Sequence, residues 1–429
     1  MGRDASTIVF FPARAFGPLI NSVGIGDVLR RRGYRVVFIV EESFAGTLEE
    51  RGFEERLVRL GPRQPHDGGP GAVWKGFLRD REEILRMPPV EQLTALIRPA
   101  FRTLIDGAKY VDDRLLGLFA ELKPRMIVVD NAITFPALFT AGVPWTRLVS
   151  RNPAEMKDHL VPPPFSGLSA QSSIDWDGFW VAYRRALGDL HDDLSDYCQE
   201  RGAPPLHSDD FIHESPWLNL YLYPDEVDYS RARPLGRHWR NLQANVRCSD
   251  PAWNVPEAMS GGEDPLIYLS LGSLGSADVD LMRKLIAELA NEPYRVVVAK
   301  GPQAHAVELA SNMEGAEFLP QASLLPKVDL VITNAGSNTI AECLFFGRPM
   351  VMLPIFWDQH DNAQRLNEKG FGVRLDTYEH QAEELTGAID RLLTDRALEE
   401  RLAATSARLR AAAGTELAAD LIERAAREG

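Results

Sequence analysis

FLPQASLLPKVDLVITNAGSNTIAECLFFGRPMVMLPIFWDQHDNAQRLNEKGFG, residues 318–372, reads as strand, turn, helix, strand, loop and helix in succession. Residues 328–333 form a short apolar run, the pattern of a strand buried on both faces. The turn is Thr333 to Thr339, with Ser337 or Asn338 as the expected helix cap and Gly336 permitting close backbone approach to a ligand. The helix covers 338–346, where Gly347 stops it and Pro349 forbids its continuation. A strand follows at 350–354 and a helix at 361–369. The free amides and dipole at the first helix start favour an anionic group such as a diphosphate. Asn338 and Glu342 are four residues apart and share a helix face, so the Glu342 carboxylate is placed to accept hydrogen bonds from a ribose diol. Asp358 and Gln359 lie at a strand's carboxyl end. A carboxylate beside an amide both accepts and donates, which suits the vicinal hydroxyls of a sugar.

The same alternation extends outward from this stretch. Strands are expected at 266–271 and 295–299, and the tail from about residue 383 reads as two helices. The chain also opens on a βαβ unit: a strand at 7–11, a helix at 20–32 stopped by Gly33, and a strand at 34–40. A helical stretch at 89–121, strands at 126–129 and 145–150, a Pro- and Ser-rich loop at 153–173 and a long helix at 176–201 complete the first half. Residues 225–264 are polar and aperiodic and mark a boundary. The expectation is an α/β protein of two facing doubly wound, Rossmann-like domains with a cleft between the carboxyl ends of their strands. The domains fall at 1–240 and 241–405. The terminal helical segment, 406–429, has packing back onto the first domain as one option.

With 429 residues, 45% apolar and 25% charged, the chain has the size and composition of a two-domain globular protein. Its net charge of −14 disfavours nucleic acid as a partner. Cys198, Cys248 and Cys343 form no metal-binding or disulfide pattern, so no metal is expected. The apolar run at residues 8–11 is too short for a signal sequence or a membrane span, and a cytoplasmic protein without an integral membrane segment is expected. Oligomeric state is left open.

The motifs Pro320-Gln321, Gly336-x-Asn338-Thr339-x-x-Glu342, Gly347-x-Pro349 and Asp358-Gln359-x-x-Asn362-Ala363 resemble the donor signature of glycosyltransferase family 1, the UDP-glycosyltransferase-like enzymes of the GT-B fold, of the bacterial natural-product type. The resemblance implies an inverting transferase in secondary metabolism or antibiotic biosynthesis. It would move a sugar from a UDP- or dTDP-sugar to a small apolar acceptor, with the nucleotide sugar as co-substrate and no other cofactor. It also implies site roles. Phe318 or Gln321 would contact the base, and Asn334, Gly336, Ser337, Asn338, Thr339 and Ser273 would line the diphosphate. Glu342 would hold the ribose, and Asp358 and Gln359 the sugar. Acceptor-lining candidates, equally readable as core, are Trp74, Phe77, Phe165, Phe179 and Trp180; Trp357 is either packing or a sugar platform.

Two positions depart from the family pattern. Asn334-Ala335-Gly336 stands where the family has His-Gly-Gly or His-Cys-Gly, which removes a possible positive charge. In the acceptor loop, Gly17 to Asn21, Pro18 stands where the family's general-base histidine falls. An alcohol without a base loses roughly 10²–10⁴-fold in rate. Three readings follow: Asp130 is the base, alone or through water; His159 is the base; or the acceptor is already acidic. A noncatalytic relative that binds sugar nucleotide or partners another enzyme is the alternative to catalysis. A dinucleotide enzyme is disfavoured because residues 12–21 lack G-x-G-x-x-G.

Overall fold

The structure, a computed structural model, describes residues 6–62, 82–247 and 251–428. Two parallel sheets organise it. The first has seven strands in the order β3-β2-β1-β4-β5-β6-β7, and the second has six in the order β10-β9-β8-β11-β12-β13. In the first sheet these are β1 Thr7–Pro12, β2 Arg35–Glu41, β3 Glu54–Val58, β4 Met126–Asp130, β5 Trp145–Val149, β6 Leu218–Tyr221 and β7 Trp239–Asn241. In the second they are β8 Leu266–Ser270, β9 Arg295–Ala299, β10 Met313–Ala316, β11 Leu330–Thr333, β12 Met350–Met352 and β13 Gly372–Arg374. The principal helices are α1 Phe16–Arg31, α2 Arg98–Leu122, α3 Trp176–Glu200, α4 Val279–Leu289, α5 Ser337–Phe346, α6 Gln359–Glu368, α7 Ala382–Thr394, α8 Arg396–Ala412 and α9 Gly414–Glu428. The two facing doubly wound domains and the cleft between them are those expected from the sequence.

Parallel strands covered by helices on both faces read as continuous apolar runs. Thus Ile8, Val9 and Phe10 of β1 and Leu330, Val331 and Ile332 of β11 are fully buried. In each sheet the order reverses beside the first strand, at β1/β4 and at β8/β11. Those are the switch points where α/β sheets bind ligands, and here they face one another across the cleft.

Strands β3, β6, β7, β10 and β13 and helix α4 add to the expected elements. Three- to five-residue strands such as Trp239–Asn241 are too short for a period to show. The tail contains three helices where two were expected, because Asp395 and Ala413 break it; the Asp395 side chain caps α8 by accepting from the Leu398 amide at 2.9 Å. The helical stretch near 89–121 includes a π-helical turn at Leu93–Ile97.

The last helix, α9, packs against α1 of the first domain and buries Ala418, Ala419, Ile422, Ala425 and Ala426 there. Its first residue explains the crossing. A Cβ on Gly414 would lie 2.0 Å from the Ala244 carbonyl and 2.2 Å from that of Leu242. Only glycine lets the helix start against the linker. Asn245 of that linker donates to the α1 carbonyl of Asn21 at 2.7 Å and accepts from Thr415 at 2.8 Å.

Candidate active site

A cleft of about 460 Å³ lies between the two switch points. On the C-terminal wall, β11 ends at Thr333 and the chain turns through Asn334, Ala335 and Gly336 into α5. Ala335 is fully buried with a left-handed φ of 60°, a conformation costly for a residue with a Cβ. The turn is held by Asn362, whose Nδ2 donates to the Ala335 carbonyl and the Ser337 hydroxyl, both at 3.0 Å. Asn334 Oδ1 accepts from the Gly336 amide at 3.3 Å. The α5 N-cap is Gly336, with no side-chain cap, rather than the expected Ser337 or Asn338. Both of those side chains are used elsewhere. The first amides of α5 therefore keep the unmet hydrogen-bonding capacity of a helix start, and Gly336 to Thr339 line the cleft.

One turn further along α5, Glu342 is buried at the cleft wall. Arg247 Nη1 donates to its Oε1 at 2.6 Å and Gln321 Nε2 to its Oε2 at 2.6 Å. Gln321 also donates to Thr339 Oγ1 at 3.2 Å and accepts from the Tyr268 hydroxyl at 3.4 Å. The carboxylate is thus fixed in place at the cleft wall. Phe318 is 54% exposed at the same end, and its ring lies 6.4 Å from that of Phe16 of the facing domain with 42° between their planes. Gly272 and Ser270 line the cleft next to the turn. Ser273 lies in a short helix, Gly272–Gly275, and its side chain is outside the described residues.

At the far end of the donor wall, Asp358 Oδ2 accepts from the Ser337 hydroxyl at 2.7 Å and from the Asn152 backbone amide of the first domain at 3.0 Å. Burial pushes its pKa up, against those hydrogen bonds and the Arg151 charge. Gln359 Oε1 accepts from the Ile355 and Phe356 amides, so its amide nitrogen is the end that can serve a ligand. Trp357 adopts φ 59° and stacks on Phe101 of the first domain, with centroids 5.6 Å apart and 15° between planes. Its ring is interdomain packing as well as cleft wall.

Across the cleft, Pro18 lies on the wall, and Asn21 Nδ2 donates to Asn338 Oδ1 at 2.7 Å. Asn338 Nδ2 in turn donates to the Gly17 carbonyl at 3.1 Å. The acceptor loop is therefore tied directly to the start of α5. Of the two candidate bases, the structure brings neither to the cleft surface. Asp130 ends β4 with its side chain fully enclosed beside Ser150, and Arg151 approaches it at 3.7 Å. Burial pushes the Asp130 carboxyl up to about 6, although Arg151 opposes this. His159 is exposed on the loop between β5 and α3 and is not among the cleft-lining residues. Of the acceptor-lining candidates, Phe165 and Phe179 are buried and Trp180 half-buried in the first domain's core cluster, while Trp74 and Phe77 lie outside the described residues.

Several cleft residues carry no sequence signal. Arg247 lies in the aperiodic linker, Tyr268 inside a strand, and Arg14 and Arg151 beyond strand ends. Only the fold brings them to the cleft.

Residues 246–409 match the family model described as UDP-glucoronosyl and UDP-glucosyl transferase. The demethyllactenocin mycarosyltransferase of Streptomyces fradiae is 26% identical over 97% of this chain and 86% of its own length. Among solved structures, the glycotransferase of kitacinnamycin superposes with a TM-score of 0.70 at 21% identity, covering 99% of this chain and 100% of that one. The glycosyltransferase VinC, in complex with dTDP, superposes at 0.64 with 17% identity, covering 99% and 100%. Among the described residues, no helix is long and apolar enough to cross a membrane.

Proposed function

We propose that this chain, whose residues 246–409 match the family model described as UDP-glucoronosyl and UDP-glucosyl transferase, moves a sugar from a nucleoside diphosphate sugar to a small acceptor with inversion at the anomeric carbon. The observation that carries the reading is the start of α5. Its amides open into an interdomain cleft with Glu342, Gln321 and Arg247 on one side and Asp358 and Gln359 on the other. That order reproduces, from end to end, a ribose, a diphosphate and a hexose. The helix-start amides stabilise the diphosphate as charge develops on its bridging oxygen, so the chain's own groups neutralise the leaving group.

Uridine or thymidine diphosphate fits this site. The dTDP bound by VinC and the mycarosyl transfer named for the Streptomyces relative support a deoxysugar donor and a natural-product acceptor. The acceptor would enter from the first domain, where Leu96, Ala100 and Leu104 give the cleft an apolar wall. The relatives reported above are transferases, which supports catalysis over the binding-only alternative. The buried free thiols of Cys198 and Cys343 suit a reducing compartment, in keeping with a cytoplasmic enzyme.

The test is calorimetric titration of the intact protein with UDP, dTDP, ADP and GDP. UDP or dTDP is expected to bind in the micromolar range and to raise Tm, while the purine nucleotides bind at least tenfold more weakly. No binding of any nucleoside diphosphate refutes the proposal.

A further inference from the structure

The first domain's side of the cleft bears cations where an alcohol-transferring enzyme needs a base. Among the described residues lining that wall, every side chain is apolar or absent except those of Arg14, Ser150 and Arg151. The cleft's carboxylates, Glu317, Glu342 and Asp358, all belong to the opposite, donor wall. Pro18, on the loop before Asn21, lines the cleft without a titratable group. Asp130, whose raised pKa would suit a base, is fully enclosed and has Arg151 as its charged neighbour at 3.7 Å.

Arg151 is held in a fixed pose. Its Nε and Nη2 donate to both oxygens of Glu155 at 2.8 and 2.9 Å, and Nη2 also donates to the Asn131 carbonyl at 2.8 Å. Its Nη1 makes no hydrogen bond among the described residues. Behind it, Arg147 is 6% exposed, and its Nε has no hydrogen-bond partner among the described residues. Two buried guanidinium groups therefore share Glu155, with Arg147 3.6 Å from it, and donor capacity remains beside the cleft.

An alcohol attacking a sugar must surrender its proton to something. A carboxylic acid, with an ordinary pKa of about 4, is ionised at neutral pH and has no proton to give up. Guanidinium groups are the side chains best suited to hold a carboxylate in one orientation.

We propose that the acceptor is a carboxylate, positioned by Arg151 and Arg14, and that the product is a glycosyl ester. The inference rests on the glycosyltransferase reading given above. In the step, a lone pair of one carboxylate oxygen forms the new bond to the anomeric carbon. The bond from that carbon to the diphosphate oxygen breaks, and its electron pair leaves on the nucleoside diphosphate. No proton is transferred, and no oxidant or reductant takes part. Arg14 and Arg151 hold the nucleophile on the face opposite the diphosphate, and the α5 amides hold the leaving group.

The experiment uses the full chain with dTDP-glucose and UDP-glucose and three matched acceptors: 2-naphthoic acid, 2-naphthalenemethanol and 2-naphthol. Products are identified by mass spectrometry and by cleavage with hydroxylamine, which opens an ester and leaves an ether glycoside intact. Transfer to naphthoate at least tenfold faster than to the alcohol is expected, with kcat/KM varying less than twofold between pH 6 and 8.5. Arg151→Gln is expected to lower kcat/KM for naphthoate at least tenfold with dTDP affinity within twofold. Arg14→Gln gives the same readout if Arg151→Gln does not fold. Absence of transfer to naphthoate, whether or not the alcohol or phenol reacts, overturns the proposal. So does an unchanged naphthoate rate in both arginine variants. Failure of dTDP and UDP to bind at all instead refutes the transferase reading itself.

Discussion

Replacing Glu342 separates a structural carboxylate from one that reads a nucleotide. Its side chain is 4% exposed and pairs with Arg247, itself 13% exposed, at 2.6 Å. Removing one partner of a fully buried pair costs about 3–5 kcal/mol. Arg247 keeps some contact with solvent, so Glu342→Ala should cost about 2 kcal/mol of stability, a Tm drop of a few degrees. Nucleotide affinity should fall for a different reason. Each hydroxyl–carboxylate hydrogen bond contributes about 1.5–3 kcal/mol. A ribose presents two hydroxyls, so the loss for UDP should be at least 10²-fold; deoxyribose presents one, so the loss for dTDP should be nearer 10-fold. Glu342→Gln keeps an acceptor for Gln321 but loses the charge, and should fall between wild type and alanine. Calorimetric titration with both nucleotides, beside thermal melts of each variant, measures the two effects separately. If Glu342→Ala melts several degrees lower yet binds UDP and dTDP within twofold of wild type, the ribose assignment is wrong.

Asn338→Ala removes two hydrogen bonds between domains, to Asn21 and Gly17. At about 1 kcal/mol each, the closed arrangement should lose roughly 2 kcal/mol, so small-angle scattering should show a larger radius of gyration and KM for the acceptor should rise. Gly414→Ala places a Cβ 2.0 Å from the Ala244 carbonyl. A destabilisation of about 3 kcal/mol is expected, together with faster proteolysis near residue 413 as α9 leaves α1. The third concerns pH. Asp361 accepts from the Phe165 and Gly167 amides of the first domain at 2.7 and 2.8 Å, and burial pushes its carboxyl up to about 7. A raised folded-state pKa contributes stability that is full below the unfolded value, about 4, and is lost as pH rises through 7. Urea unfolding should therefore show a stability component on the order of 4 kcal/mol disappearing between pH 4 and 7, and Asp361→Asn should flatten that slope.

The donor wall was legible in the sequence because it is local. The turn at 334–336, the helix face carrying Asn338 and Glu342, and the loop with Asp358 and Gln359 span fewer than thirty residues, and strand, turn and helix signals fix their relative directions. The acceptor wall was not legible, because it is assembled from separate crossings of one sheet: Arg14 after β1, Ala100 in α2, and Ala132 and Arg151 after β4 and β5. No spacing in the chain relates these residues. Asp130 shows the limit of position alone. The end of a central strand is where the sequence puts this carboxylate, but Arg151, twenty-one residues later, decides what it faces. Arg247 was hidden for a third reason: a linker without periodicity gives no face to assign, although its guanidinium reaches Glu342, ninety-five positions away.

The strained backbone bears on how donor and acceptor sites communicate. Phe165, Ala335 and Trp357 all hold left-handed φ values, of 70°, 60° and 59°, and each such residue costs about 1–2 kcal/mol. All three lie at the interdomain corner; Phe165 and Trp357 are held by contacts between the domains, and Ala335 by Asn362 of its own domain. The Phe165 amide donates to Asp361, Trp357 stacks on Phe101, and the Ala335 carbonyl accepts from Asn362. Asn362 is the junction: its Oδ1 accepts from Asn152 Nδ2 at 2.8 Å and from the Tyr223 hydroxyl at 3.2 Å, both in the first domain, while its Nδ2 holds the diphosphate turn. Domain opening would strip two of its four hydrogen bonds and leave the turn at Ala335 held from one side. The shape of the helix start that faces the diphosphate is thus partly set by the domain that holds the acceptor. A donor that needs that shape binds best when the acceptor wall is already in place, which favours transfer over reaction with water.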